Sequence, residues 1–109
     1  MATIDEVWAS ATLSALAQIL AAHEALPRRL GPAVRAHDVE HGTAYASTLL
    51  AYLDANRDIA AASKQLAVHP NTIRYRLSRA ETIFGFDLAN PDERLVLWLR
   101  LRLGDQLGW

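Results

Sequence analysis

The side chains best suited to binding chemistry in this 109-residue chain lie between Arg57 and Glu81. Arg57, Lys64, Arg74, Arg76 and Arg79 face only Asp58 and Glu81 there, so residues 56–84 hold five bases and two acids. Residues 1–55 hold three bases and six acids, and residues 85–109 hold three and four, so the basic stretch sits between acidic flanks in a chain of net charge -1. Asn71, Thr72 and Tyr75 are interleaved with these arginines. A carboxamide can make a two-point contact with adenine and a guanidinium with guanine, each worth ~1 to 3 kcal/mol of base discrimination. The pattern has the make-up of an anion footprint. Arginines on an amphipathic helix can equally do no more than solvate its outer side, so their order around the helix has to decide.

A second constellation, His37-Asp38-Val39-Glu40-His41, matches the H-x-x-E-H pattern in which two histidines one helical turn apart bind zinc and a glutamate activates water. Gly42 ends that helix at once, and a chain of this length leaves little room for a third ligand and a substrate cleft. Neither a metal nor catalysis is expected here, and His23 with the scattered acids makes no other triad or carboxylate pair. The absence of cysteine removes disulfides, thiolate zinc sites and cysteine nucleophiles. No cofactor is expected. Met1 to Glu6 carries two acids and no base, unlike a signal peptide, and no run reaches the ~18 apolar residues of a membrane span. The chain reads as cytoplasmic.

Six helical segments position these groups. Residues 4–25 repeat apolar side chains at helical spacing on two sides, through Ile4, Trp8, Ala15 and Ile19 on one and Leu13, Leu16 and Leu20 on another, with Pro27 as the stop. Gly31-Pro32 opens a short helix that Gly42 closes, and Thr43 is placed to cap the next, with Asn56 at its left-handed end. Asp58 suits the N-cap of Ile59 to Ala67, on which Ile59, Ala62 and Leu66 point inward. Pro70 disfavours helix at His69 yet fits the first position of a new one, so one helix stops and another starts within about three residues. Ile73, Leu77, Ala80 and Phe84 carry that helix to Gly85. Asn90-Pro91-Asp92-Glu93 then stacks an N-cap, an N1 proline and two first-turn acids before the final helix. Leu99 to Leu103 alternates like a strand, but the cap in front of it favours helix.

Two short helices joined by a tight turn, the second with a basic outer side, form a helix-turn-helix, which lays its second helix in the DNA major groove. At about 100° per residue, Ile73, Leu77, Ala80 and Phe84 centre near 210° from Asn71, while Asn71, Tyr75, Ser78 and Thr82 lie within about 40° of zero. Arg74 and Arg79 border the polar stripe and Arg76 lies further round. The start of the helix is expected to add free N–H groups and a positive dipole end.

These residues resemble a known family. The landmarks A-Y-L-D-A-N at 51–56, A-V-H-P-N-T-I-R-Y-R-L at 67–77 and G-F-D-L at 85–88 are similar to the C-terminal helix-turn-helix domain of PucR/CdaR-type bacterial transcriptional regulators. The likeness is close from Leu49 to Leu103 and extends more weakly back to Leu30. It implies sequence-specific binding to double-stranded DNA, as a dimer, through the helix holding Asn71, Thr72, Arg74, Tyr75 and Arg76. Members usually carry a long N-terminal sensory region, for which this chain has no room, so it is expected to be an excised domain or a truncated relative with no effector ligand of its own. Asn71 and Arg74 are assigned to base edges, and Thr72, Tyr75, Arg76 and Arg79 to phosphate contacts or orientation. Tyr75 has the alternative of packing on a neighbouring helix. His69 sits at the N-cap position of the helix, where a ring nitrogen can satisfy an amide or reach a phosphate, the structural role being favoured, and Lys64 is expected to be exposed, within reach of the DNA backbone.

The fold expected is all-α, a five- to six-helix bundle containing a Fis-like helix-turn-helix, with residues 1–42 serving packing or dimerisation and residues 43–109 forming the DNA-binding part. The rival reading is a helical protein-interaction module without nucleic acid. It draws on the two apolar sides of the first helix and on a last helix greasy nearly all round, from Leu95 to Leu103 with Leu107 and Trp109 beyond. On a DNA-binding domain the same surfaces favour a homodimer, with recognition helices ~34 to 36 Å apart.

Overall fold

A computed structural model of the chain describes residues 4–22 and 31–107. Six helices follow in order: α1 (Ile4–Ala22), α2 (Gly31–His41), α3 (Tyr45–Asp54), α4 (Ile59–Leu66), α5 (Pro70–Phe84) and α6 (Pro91–Leu107). Among the described residues there is no strand, so the architecture is the all-helical bundle expected, and Leu99 to Leu103 is helical. No helix among them is long and apolar enough to cross a membrane. The expected stop at Pro27, like His23 and Trp109, lies outside the described residues.

Helix α3 is the hub, packing against α2, α4, α5 and α6. It can touch four neighbours because its apolar and small residues go almost all the way round: Tyr45, Ala46, Thr48, Leu49, Ala51 and Leu53 are buried. Val34, Ile73, Leu97 and Leu101 meet Leu49 in one core, closed by Phe86 and Leu88 from the segment after α5. Phe84 and Phe86 stack with ring centroids 6.4 Å apart, so the chain folds back after Gly85, whose φ of 73° is the left-handed stop that glycine tolerates.

The caps show which helix ends are locally written. Asp58 accepts from the Ala61 N–H at 3.1 Å, and Asn90 accepts from the Asp92 and Glu93 N–H groups at 3.0 and 3.1 Å, as their residue types suggest. Thr43 does not cap α3. The Asp38 carboxylate, from the preceding helix, accepts from Tyr45 N and Ala46 N, each at 2.9 Å, and Thr43 donates its hydroxyl to the same carboxylate. An ionised carboxylate is the stronger acceptor for two such donors, and it locks α2 to α3.

Helix α1 is held differently from the rest. It packs on α6, and of its described side chains only Ala17 is buried. Trp8 and Ile19 remain 64% and 54% exposed. On α6, Trp98 donates its indole N–H to Asp54 at 2.7 Å, and Arg102 lies 3.5 Å from the same carboxylate, tying α6 to the end of α3.

Candidate nucleic-acid interface

Helices α4 and α5 are joined by Ala67, Val68 and His69, the tight turn read from Pro70. Ala67 ends α4 in the left-handed region at φ 55°, with its N–H on Lys64 O, while Val68 N–H reaches Ser63 O at 3.1 Å. That conformation costs a residue with a Cβ ~1 to 2 kcal/mol, and on α4 itself the small Ala62 and Ser63 are buried. Ile73, Leu77 and Ala80 then seat α5 on the core. The opposite side of α5 is fixed by that seating.

On this outer side Asn71, Tyr75, Ser78 and Thr82 are exposed, flanked by exposed Arg74 and Arg79. Tyr75 stands 65% exposed, so its ring does not pack beneath a neighbouring helix. Arg57, Lys64, Arg74 and Arg79 form no ion pair with a carboxylate among the described residues. Glu81 lines the same groove as Arg57 and Arg74 without forming an ion pair with either. Arg74 donates from Nη1 to Asn71 Oδ1 at 2.9 Å, one helical turn away.

Two of the expected site residues face elsewhere. Arg76 is half-buried and donates to Thr48 Oγ1 of α3 at 3.3 Å, the threonine hydroxyl itself going to Ala44 O at 2.7 Å. Thr72, on the same flank, is half-buried. Lys64 is exposed on the last turn of α4, apart from the stripe on α5.

The N-terminus of α5 departs from expectation. Pro70 has no N–H, Asn71 N–H donates to His69 Nδ1 at 3.0 Å, and the N–H groups of Thr72 and Ile73 reach His69 O at 2.9 and 3.3 Å. No free first-turn N–H is left for a phosphate, because His69 has taken them. Accepting at Nδ1 places the proton of a neutral ring on Nε2, a side-chain donor that points away from that bond.

Arg57 joins the site through the fold. Arg57, immediately before the cap of α4, sits at φ 69° with its N–H on Tyr52 O at 2.8 Å. It lines an open groove together with Arg74 and Ser78. The signal was present in Asn56-Arg57-Asp58, a turn-and-cap sequence with a cation in it, but only the fold brings that cation beside α5.

The H-x-x-E-H string is folded into packing. His37 and His41 stack at 4.2 Å, His37 Nδ1 meets Thr43 Oγ1 at 3.2 Å, and the His37 ring also lies against Tyr45 and Phe84. Among the described residues no group of three or more His, Asp or Glu side chains is placed to hold a metal ion.

The family model described as the PucR C-terminal helix-turn-helix domain matches residues 45–103, just over half of the chain. The chain belongs to this family. The match takes in α3, α4, α5 and most of α6. The carbohydrate diacid regulator of Escherichia coli is 36% identical to this PucR-type domain over 75 residues, covering 69% of the chain and 20% of that protein. The DNA-binding transcriptional activator AdeR of Bacillus subtilis is 33% identical over 67 residues, covering 62% and 16%. The purine catabolism regulatory protein of the same species is 39% identical over 56 residues, covering 51% and 10%. The chain thus spans a fifth or less of the length of these relatives. No solved structure matches at a significant level.

Proposed function

We propose that this PucR-type domain binds double-stranded DNA with sequence specificity, as the DNA-binding part of a cytoplasmic transcriptional regulator. The observation that carries the reading is the outer stripe of α5: Asn71, Tyr75, Ser78 and Thr82 exposed between Arg74 and Arg79, with no carboxylate among the described residues paired to either arginine. A helix so presented can enter a major groove, and groups that donate and accept along it can read base edges. Asn71 and Arg74 take the base edges. Arg79, Tyr75 and Arg57 contact phosphates, Lys64 supports them from α4, and His69 can add its Nε2–H. Arg76 and Thr72 orient the helix, Arg76 through its hold on Thr48. AdeR, one of the relatives, is described as DNA-binding and as an activator. Effector sensing would belong to the remainder of a longer protein.

Residues 43–109 form the DNA-binding unit in this reading, and residues 1–42 serve packing and dimerisation. Exposed Val7, Trp8, Ile19, Leu95 and Val96 favour a homodimer. The same surface supports the second reading, a protein-interaction module without DNA.

Enrichment from a random-sequence duplex pool by the purified chain tests the proposal. The expected result is a defined motif whose binding weakens steeply with salt. Retention of no duplex at low salt would leave the interaction module as the better reading.

A further inference from the structure

Asn71 and Arg74 are joined to each other before any ligand arrives: Arg74 Nη1 donates to Asn71 Oδ1 at 2.9 Å, and both side chains are exposed at the start of the outer stripe. The orientation of the carboxamide is chemically required. A guanidinium is donor-only, so it is the amide oxygen that must face it. What the joined pair shows to solvent is then mostly donors, the remaining N–H groups of Arg74 and the NH₂ of Asn71, with one lone pair of Oδ1 left beside a guanidinium that forms no ion pair among the described residues.

This matters for base reading. An isolated asparagine reads adenine because its oxygen accepts from N6 while its nitrogen donates to N7. In the pair, an adenine N6 amino group brought to the remaining lone pair of Oδ1 would meet the Arg74 cation, donor against donor. Guanine places the acceptor O6 where adenine has N6, next to the acceptor N7, and both are attracted by the same N–H groups. Resting on the DNA-binding reading above, we infer that Asn71 and Arg74 act as one donor-rich unit that selects guanine at one position of the binding site, and that the guanidinium suppresses the adenine preference of Asn71. Arg74 is a specificity switch as well as a contact. Loss of it alters which base is chosen, where loss of an independent contact would only relax the choice.

Parallel enrichment from a random duplex pool by the unaltered chain, Arg74→Ala and Asn71→Ala distinguishes these outcomes, with circular dichroism melting as the check on folding of each. The unaltered chain is expected to favour guanine over adenine by roughly tenfold at one position. Arg74→Ala is expected to enrich adenine at that same position, and Asn71→Ala to keep guanine with a weaker preference. Adenine enriched there by the unaltered chain, or a guanine preference that survives or merely relaxes in Arg74→Ala, would overturn the inference while leaving DNA binding intact. Failure of the unaltered chain to enrich any duplex would overturn the DNA-binding reading, and this inference with it.

Discussion

Helices α1 and α5 both carry apolar residues at helical spacing, and they are held to the molecule in opposite ways. On α5 the apolar residues keep to one side, so Ile73, Leu77 and Ala80 are buried while the polar side stays in water, and His69 and Gly85 close its two ends. On α1 the apolar residues run along two sides, only Ala17 is buried among its described side chains, and Val7, Trp8, Leu16 and Ile19 stay at least partly in solvent. The lesson is about freedom to bind. A helix with one apolar side is fixed in rotation and presents a defined polar stripe, whereas a helix with two leaves a surface whose chemistry favours another apolar partner.

Substitutions can break this contrast, beginning with the largest effect. Leu49→Ala, at the fully buried centre of α3, is expected to lower stability by ~2 to 5 kcal/mol in urea denaturation. Ile19→Ala on α1 should stay within ~0.5 kcal/mol, and an equal loss at both positions would erase the difference between the two regions. Asp38→Ala removes the acceptor of two backbone N–H groups at the start of α3 and should cost ~1 to 3 kcal/mol. Ala67→Gly relieves the left-handed Cβ at the turn between α4 and α5, and a gain of up to about 1 kcal/mol is expected in the same measurement. Smallest in free energy, Arg79→Ala should leave the melting temperature unchanged and flatten the salt dependence of duplex binding by about one contact.

Most of the helix-turn-helix was legible in the sequence because its signals are local. Asp58, His69, Gly85 and Asn90 act on backbone groups within a few residues of themselves, and the inward spacing of Ile73, Leu77 and Ala80 already implies which side of α5 faces out. What escaped the reading depends on chain segments meeting in space. Asp38 caps a helix other than its own, Arg76 turns toward Thr48, 28 residues earlier, and Arg57 reaches the groove beside Arg74 through a left-handed turn. The free N–H groups expected at the start of α5 were lost for a different reason. The cap residue type of His69 is local, but its ring nitrogen, its carbonyl and the missing N–H of Pro70 act together to leave no first-turn N–H free.

Backbone and side-chain NMR of the chain, titrated with a duplex recovered by enrichment, tests most directly that the outer stripe of α5 is the surface that meets DNA. The expected shifts concentrate on Asn71, Arg74, Tyr75, Ser78 and Arg79, with α1 little changed. Shifts confined to Val7, Trp8 and Ile19, with the α5 stripe unmoved at saturation, would contradict it.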